Sequence, residues 1–304
     1  VIVTVTLNPA LRVRYEAKRV GLGTANQVSR VSYRTGGRGL AVARVLHTFG
    51  HEVVAAGLAG GASGEMIRAE LARAGVATQF TWITGESRRI LEVADESDGT
   101  VTTFDEPAPY ITTEELGRLA ADYRALMADA EAAVLCGSLP DGLPAETYRS
   151  LASYAAEAGV PVVLDADGSA LRHAVSRRPA LVIPRPAGDD PAAGDPAVDD
   201  PAVDDAAALV AGGAAAAAIL SGAGVTAVTA GGTWRAELAG QPWTAADRDA
   251  LVAGFVPGIA LAWSWPDTLA HAVALAASWD PAGEVDLEAY ERLLPRVSVL
   301  ALAP

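Results

Sequence analysis

Cysteine is nearly missing from this chain: Cys136 is the only one in 304 residues. An internal disulfide needs a second cysteine and a multi-cysteine zinc site needs more, so neither can form. A reducing cytoplasm is the expected compartment. Lysine is equally scarce, with Lys18 alone. Acids outnumber strong bases by 37 to 23, for a formal net charge of −14. Such a surface repels nucleic-acid phosphates and anionic lipid, so neither is an expected partner. A membrane span is not expected either. The least polar stretch, residues 206–232, is mostly Ala and Gly with little Leu, Ile or Phe. Its transfer energy is small, and it reads as core helix plus strands. The opening Val1-Ile-Val-Thr-Val-Thr6 has no basic leader region and reads as a strand.

What is present is a chain 51% hydrophobic, enough for one large α/β domain. We take residues 1–304 as a single domain. Two blocks alternate apolar and polar residues, at about 12–35 and 78–104, and predict a small β-sheet lid with one wet face, inserted into the α/β series. Between and after them, strands near 1–7, 51–58, 132–136, 160–165 and 181–183 alternate with helices near 40–49, 64–74, 112–130 and 144–158. That alternation predicts a parallel sheet covered on both faces. Thr112-Thr-Glu-Glu115 has the form of a capping box. Residues 188–205 hold a tandem Pro-Ala-Val-Asp-Asp repeat. Its prolines, and the lack of a Glu at calcium-loop spacing, favour an acidic surface loop. A short helix near 206–211, a strand near 215–220, a hairpin over 225–238 and apolar helices at 249–263 and 265–279 follow, with a last amphipathic turn near 288–294.

Four segments have the form of ligand loops. Asn8-Pro-Ala-Leu-Arg12 follows the first strand, where parallel sheets open their crevice. Gly36-Gly-Arg-Gly39 precedes a helix, so that backbone N–H groups can approach an anion and Arg38 can add charge. Gly137-Ser-Leu-Pro140 links a strand to a helix in the same way. Asp249-Ala-Leu-Val-Ala-Gly-Phe255 puts an acid at the start of a buried helix. With Val3-Thr-Val-Thr-Leu7, Val42-Ala-Arg-Val-Leu46 and Glu106-Pro107, and in this order, the chain resembles the phosphofructokinase B family of the ribokinase superfamily, in its 1-phosphofructokinase and tagatose-6-phosphate kinase branch.

The resemblance implies an α/β ribokinase-like three-layer core, a mostly parallel sheet and a β-sheet lid that serves for homodimers. It implies ATP-dependent phosphoryl transfer, with Mg2+, to a hydroxyl of a sugar or sugar phosphate. Asp249 would be the base, and Ala246, Asp247 and Arg248 the anion hole. Arg12, Gly37, Arg38, Gly39, Arg88 and Ser138 would face the substrate. Arg185, Gly222 and Gly254 would lie on the nucleotide side.

The chain departs from the family pattern at many polar positions. The Gly-Ala-Gly-Asp loop of the family reads Ala246-Asp-Arg-Asp249 here. Asp247 puts a negative charge beside the phosphate. At about 4 Å and an effective dielectric near 20 this costs about 4 kcal/mol. Arg248 would offset part of that, even as a replacement phosphate clamp. A family acid has become Arg12, a sugar-contacting amide is Ala41, and an Asn and a Lys are Ile90 and Glu92. The magnesium-linked Asn-x-x-Glu falls on Arg185 and Gly188. These changes leave three expectations standing: a kinase with an altered anionic substrate held by Arg12, Arg38 and Arg88, a pseudokinase that binds without transfer, or a purely structural subunit with the lid sheet as its interface.

Overall fold

The computed structural model describes residues 1–184, 203–221, 224–241, 243, 247–279 and 285–302. The chain opens with β1 (Ile2–Thr6), a β-branched run buried at every position. β2 (Ala10–Ala17) and β3 (Arg30–Gly36) follow, then α1 (Arg38–Thr48), β4 (Val53–Ala59), α2 (Gly61–Arg73) and β5 (Ala77–Trp82). β6 (Arg88–Asp95) and β7 (Val101–Asp105) lead into α3 (Thr113–Met127), β8 (Ala132–Cys136), α4 (Thr147–Glu157) and β9 (Val162–Asp165). After α5 (Gly168–Val175) and β10 (Leu181–Val182) come α6 (Val203–Ala211), β11 (Ala216–Ser221), β12 (Gly224–Thr229) and β13 (Gly232–Glu237). The chain ends through α7 (Arg248–Ala260), α8 (Trp265–Ala277), α9 (Leu287–Leu293) and β14 (Ser298–Leu302).

Ten strands form one sheet in the order β14-β13-β12-β11-β10-β9-β8-β1-β4-β5. From β5 to β11 every pairing is parallel, and β12, β13 and β14 then add antiparallel. Side chains alternate between two apolar layers. Ala132, Val134 and Cys136 of β8 join one core with Leu40 of α1, Leu251 of α7 and Val273 of α8. Ala133 and Leu135 join the other with Leu119 of α3, Leu151 of α4 and Leu171 of α5. This is the ribokinase-like three-layer core, and it explains why the central strands read as continuous apolar runs.

A separate four-stranded sheet, in the order β3-β2-β6-β7, forms the lid. Its two faces differ because side chains alternate. One rung joins Tyr33, Val13, Leu91 and Phe104, while its neighbour joins Arg34, Arg12, Ile90 and Asp105. One boundary expected from sequence is corrected: residues 77–82 pair with β4 in the large sheet rather than in the lid. Their alternation reflects an edge strand with one exposed face, which has the same period as a lid strand. The acidic repeat is also re-read at its end, since residues 203–205 begin α6 rather than ending a loop. The rest of that repeat lies outside the described residues. The capping box is present: Thr112 accepts from the Glu115 amide, and the Glu115 carboxylate accepts from the Thr112 amide at 2.9 Å. Among the described residues, no helix is long and apolar enough to cross a membrane.

Candidate active site

The parallel strands end in register. Thr6 of β1 stands beside Cys136 of β8, which stands beside Asp165 of β9. The crevice of an open α/β sheet lies beyond such carboxyl ends, and four segments reach it here. Asn8 follows β1 and donates to the Ser138 hydroxyl after β8 at 3.2 Å. Among the described residues, Asn8 Oδ1 and Thr6 Oγ1 are buried without a hydrogen-bond partner. Buried polar atoms are normally satisfied, so orphans at a crevice are suited to meeting a ligand.

The amino end of α1 closes against the end of β1. Gly37 caps it at φ 126°, a left-handed conformation that favours glycine. A Cβ on Gly39 would come 2.5 Å from Thr6 Oγ1 and 2.9 Å from the Val5 carbonyl oxygen. The two glycines are thus explained by turn geometry and close approach. Arg38 between them extends Nη1 to 4.0 Å from Asp165 Oδ2.

The amino end of α7 lies at the same edge. Asp247 is its N-cap and Asp249 lies in its first turn. The sequence sets Arg248 against a phosphoryl group, but the structure commits its guanidinium inward. Arg248 is 5% exposed and Asp165 is 0% exposed. Arg248 Nε and Nη2 donate to Asp165 Oδ1 at 3.1 and 3.0 Å. Nη2 also donates to the carbonyls of Ile183 at 2.9 Å and Pro184 at 2.6 Å, just past β10. Nη1 takes part in none of these bonds. Asp165 is the site residue that the sequence reading did not select. The only signal it offers is an acid closing the buried run Val162-Val-Leu at a strand's carboxyl end.

Arg12 and Arg88 both lie at the root of the lid. Arg12 Nη1 donates to Glu92 Oε1 at 2.6 Å, and Arg14 Nη1 approaches Glu92 Oε2 at 3.5 Å. Two departures read separately in the sequence, acid to Arg12 and base to Glu92, therefore meet as one ion pair of reversed polarity. Arg88 pairs with Asp105, and its Nε is buried without a partner. The structure thus brings Arg38, Arg248 and Asp165 together in one cluster, and gives Arg12 and Arg88 carboxylate partners in the lid. Gly254 lies in mid-α7, where a Cβ would come 2.5 Å from Ala272 Cα of α8. Ala246, Arg185 and Gly222 lie outside the described residues.

The donor set bears on magnesium as well. A divalent ion at Asp165 would face two guanidinium groups, one hydrogen-bonded to the carboxylate and one 4.0 Å away. No group of three His, Cys, Asp or Glu among the described residues is arranged to hold a metal. The described residues therefore do not fit a divalent ion at this carboxylate, and no chemical step is derived through one.

A three-layer core with a β-sheet lid, and an acid in the first turn of a buried helix at the strand ends, define a ribokinase-like carbohydrate kinase fold. The chain belongs to the pfkB family of carbohydrate kinases, whose sequence pattern matches residues 11–278. It is 34% identical over 185 residues to the tagatose-6-phosphate kinase of Staphylococcus epidermidis, a match covering 60% of this chain and 59% of that one. The chain thus spans about three-fifths of that relative's length. Its fold is that of Escherichia coli phosphofructokinase-2 solved with fructose-6-phosphate, with a TM-score of 0.83 at 22% identity over 97% of this chain and 98% of that one. A carbohydrate kinase from Agrobacterium tumefaciens gives a TM-score of 0.72 at 16% identity over 98% and 99%.

Proposed function

We propose that this protein transfers the γ-phosphoryl group of ATP to a hydroxyl of a sugar or sugar phosphate, with Asp249 as the base. The observation that carries the reading is Asp249 in the first turn of α7, next to Arg248, whose partner Asp165 at the end of β9 also lies 4.0 Å from Arg38 at the amino end of α1. The Asp249 carboxylate takes the hydroxyl proton as the new O–P bond forms, and the bond to the bridging oxygen breaks to release ADP. Phosphoryl transfer is mainly positioning and charge stabilisation. Two helix amino ends and the Arg38 charge suit that work. Pfkb-family membership and the tagatose-6-phosphate kinase relative support a sugar phosphate as acceptor.

The test is ADP release from ATP across a panel of sugars and sugar phosphates, tagatose 6-phosphate and fructose 1-phosphate included. Asp249→Asn should lower kcat by about 10²–10⁴. Turnover unaffected by Asp249→Asn, or no heat of nucleotide binding at millimolar ATP, defeats the reading.

The prior pairing of Arg12 with Glu92 and Arg88 with Asp105 favours a second reading, a pseudokinase that binds a ligand without transfer. Binding without ADP release would select it. The homodimer is part of the same proposal. Tyr33 and Phe104, 52% and 57% exposed, end the apolar rung of the lid and would be covered by a second copy.

A further inference from the structure

Among the described residues, three helices cap themselves. Thr112, Ser264 and Asp286 each accept from a backbone N–H in the first turn of α3, α8 and α9. α7, like α1, α2, α4 and α5, has no side-chain capping bond at its N-cap residue. The helix bearing Asp249 is tied at its start by a tertiary contact, through the side chain of its first residue. Arg248 spans from α7 to the Asp165 carboxylate at the end of β9 and to two carbonyls past the end of β10. Asp165 is wholly buried, so its charge has little water to turn to, and its bond to Arg248 is correspondingly directional.

We propose that Asp165 is a positioning residue, acting through Arg248 to fix the first turn of α7 and hence the direction of Asp249. The inference rests on the kinase reading only for its catalytic consequence. Arg248 and Asp249 are consecutive, so a rotation of the first turn that frees one displaces the other. Asp165 itself touches no reacting atom in this account. Its carboxylate orients the guanidinium, the guanidinium fixes the strand ends against the helix, and the helix presents Asp249.

Two measurements on the full chain test this, one of which needs no turnover. Asp165→Asn keeps an oxygen acceptor for Arg248 but removes the charge. Backbone amide exchange in the first turn of α7 should then speed up about tenfold or more, while α8 stays within about twofold, because local openings are distinct from global ones. In turnover, the same variant should lose about tenfold in kcat with KM for the sugar acceptor within about threefold, the signature of a lost transition-state geometry. Arg248→Ala should lose kcat similarly and regain part of it with added guanidinium ion, as Arg248→Lys should regain part without it. Unchanged exchange at α7, or equal loosening of α7 and α8, overturns the proposal. So does a loss confined to KM, or a loss that neither guanidinium nor lysine repairs. A wild-type protein without turnover whose α7 still loosens in Asp165→Asn would defeat the kinase reading and leave the positioning role standing.

Discussion

At the amino end of α7, Asp165 and Arg248 lie 0% and 5% exposed and answer charge with charge. On α8, which packs along α7, His271 is 8% exposed and answers burial by losing charge. Its ring stands edge-on to Phe49, Trp263 and Tyr290, and its Nδ1 lies 2.6 Å from the Tyr290 hydroxyl. Burial first, and the charge of His51 second, push its pKa down to about 4. His51 is itself lowered by burial, partly offset by Glu131. The two places show that burying an ionisable group has two solutions, each suited to its surroundings. A fixed ion pair is directional and belongs where a reacting group must be aimed. A neutral ring among aromatics is adaptable and belongs where helices only need to pack.

The comparison breaks most sharply if one partner of the ion pair is removed. Arg248→Ala should cost about 3–5 kcal/mol by leaving the Asp165 charge buried without its guanidinium. Urea unfolding measures this, and a loss under about 1 kcal/mol would mean that Asp165 had found water. The neutral histidine should respond to acid instead. Folded His271 binds its proton near 4 and the unfolded side chain near 6.5, so the unfolded state holds more protons between those values. Its contribution is complete above about 6.5, declines as pH falls towards 4, and amounts to at most about 3 kcal/mol. His271→Leu should flatten that interval. The loss from Glu115 would remain, since backbone hydrogen bonds from Thr112 and Thr84 pull its pKa to about 2 and its contribution fades between 4.5 and 2. The smallest effect belongs to the lid. Arg12 and Glu92 have side chains 36% and 18% exposed, so a double-mutant cycle should return a coupling of roughly 0.5–1 kcal/mol. Exchanging the two residues should restore most of it.

Much of the fold was legible because the parallel core announces itself. Buried runs such as Val162-Val-Leu have no polar alternation to mislead, and Thr112 with Glu115 signals a helix start directly. Elements with weak signals escaped. α5 is eight residues long and opens on glycine, and β14 is a half-exposed edge strand beyond the last helix. β5 was drawn into the lid because an edge strand and a lid strand alternate alike. In the site, the loops and Asp249 could be located from their order along the chain. The partnerships could not. Arg248 and Asp165 are 83 residues apart and Arg12 and Glu92 are 80 apart, so each pair exists only after the strands are laid side by side. Read singly, a lone Asp at a strand end is a solvated terminus, and reversed charges at 12 and 92 are two losses instead of one exchange.

α7 is buried from Ala250 to Gly258 on all sides. Beyond Arg248, a helix with no wet side has no polarity to tell it which way to face, so the rest of its rotational setting comes from shape. Gly254 supplies part of that shape where it seats against Ala272, and Gly258 supplies the rest where it meets Thr268. The two glycines work as detents: a slip of one residue would turn the helix by about 100° and drive larger side chains into α8. The aim of Asp249 is therefore indexed twice, beside it through Arg248 and more than a full turn away by two positions that carry no side chain.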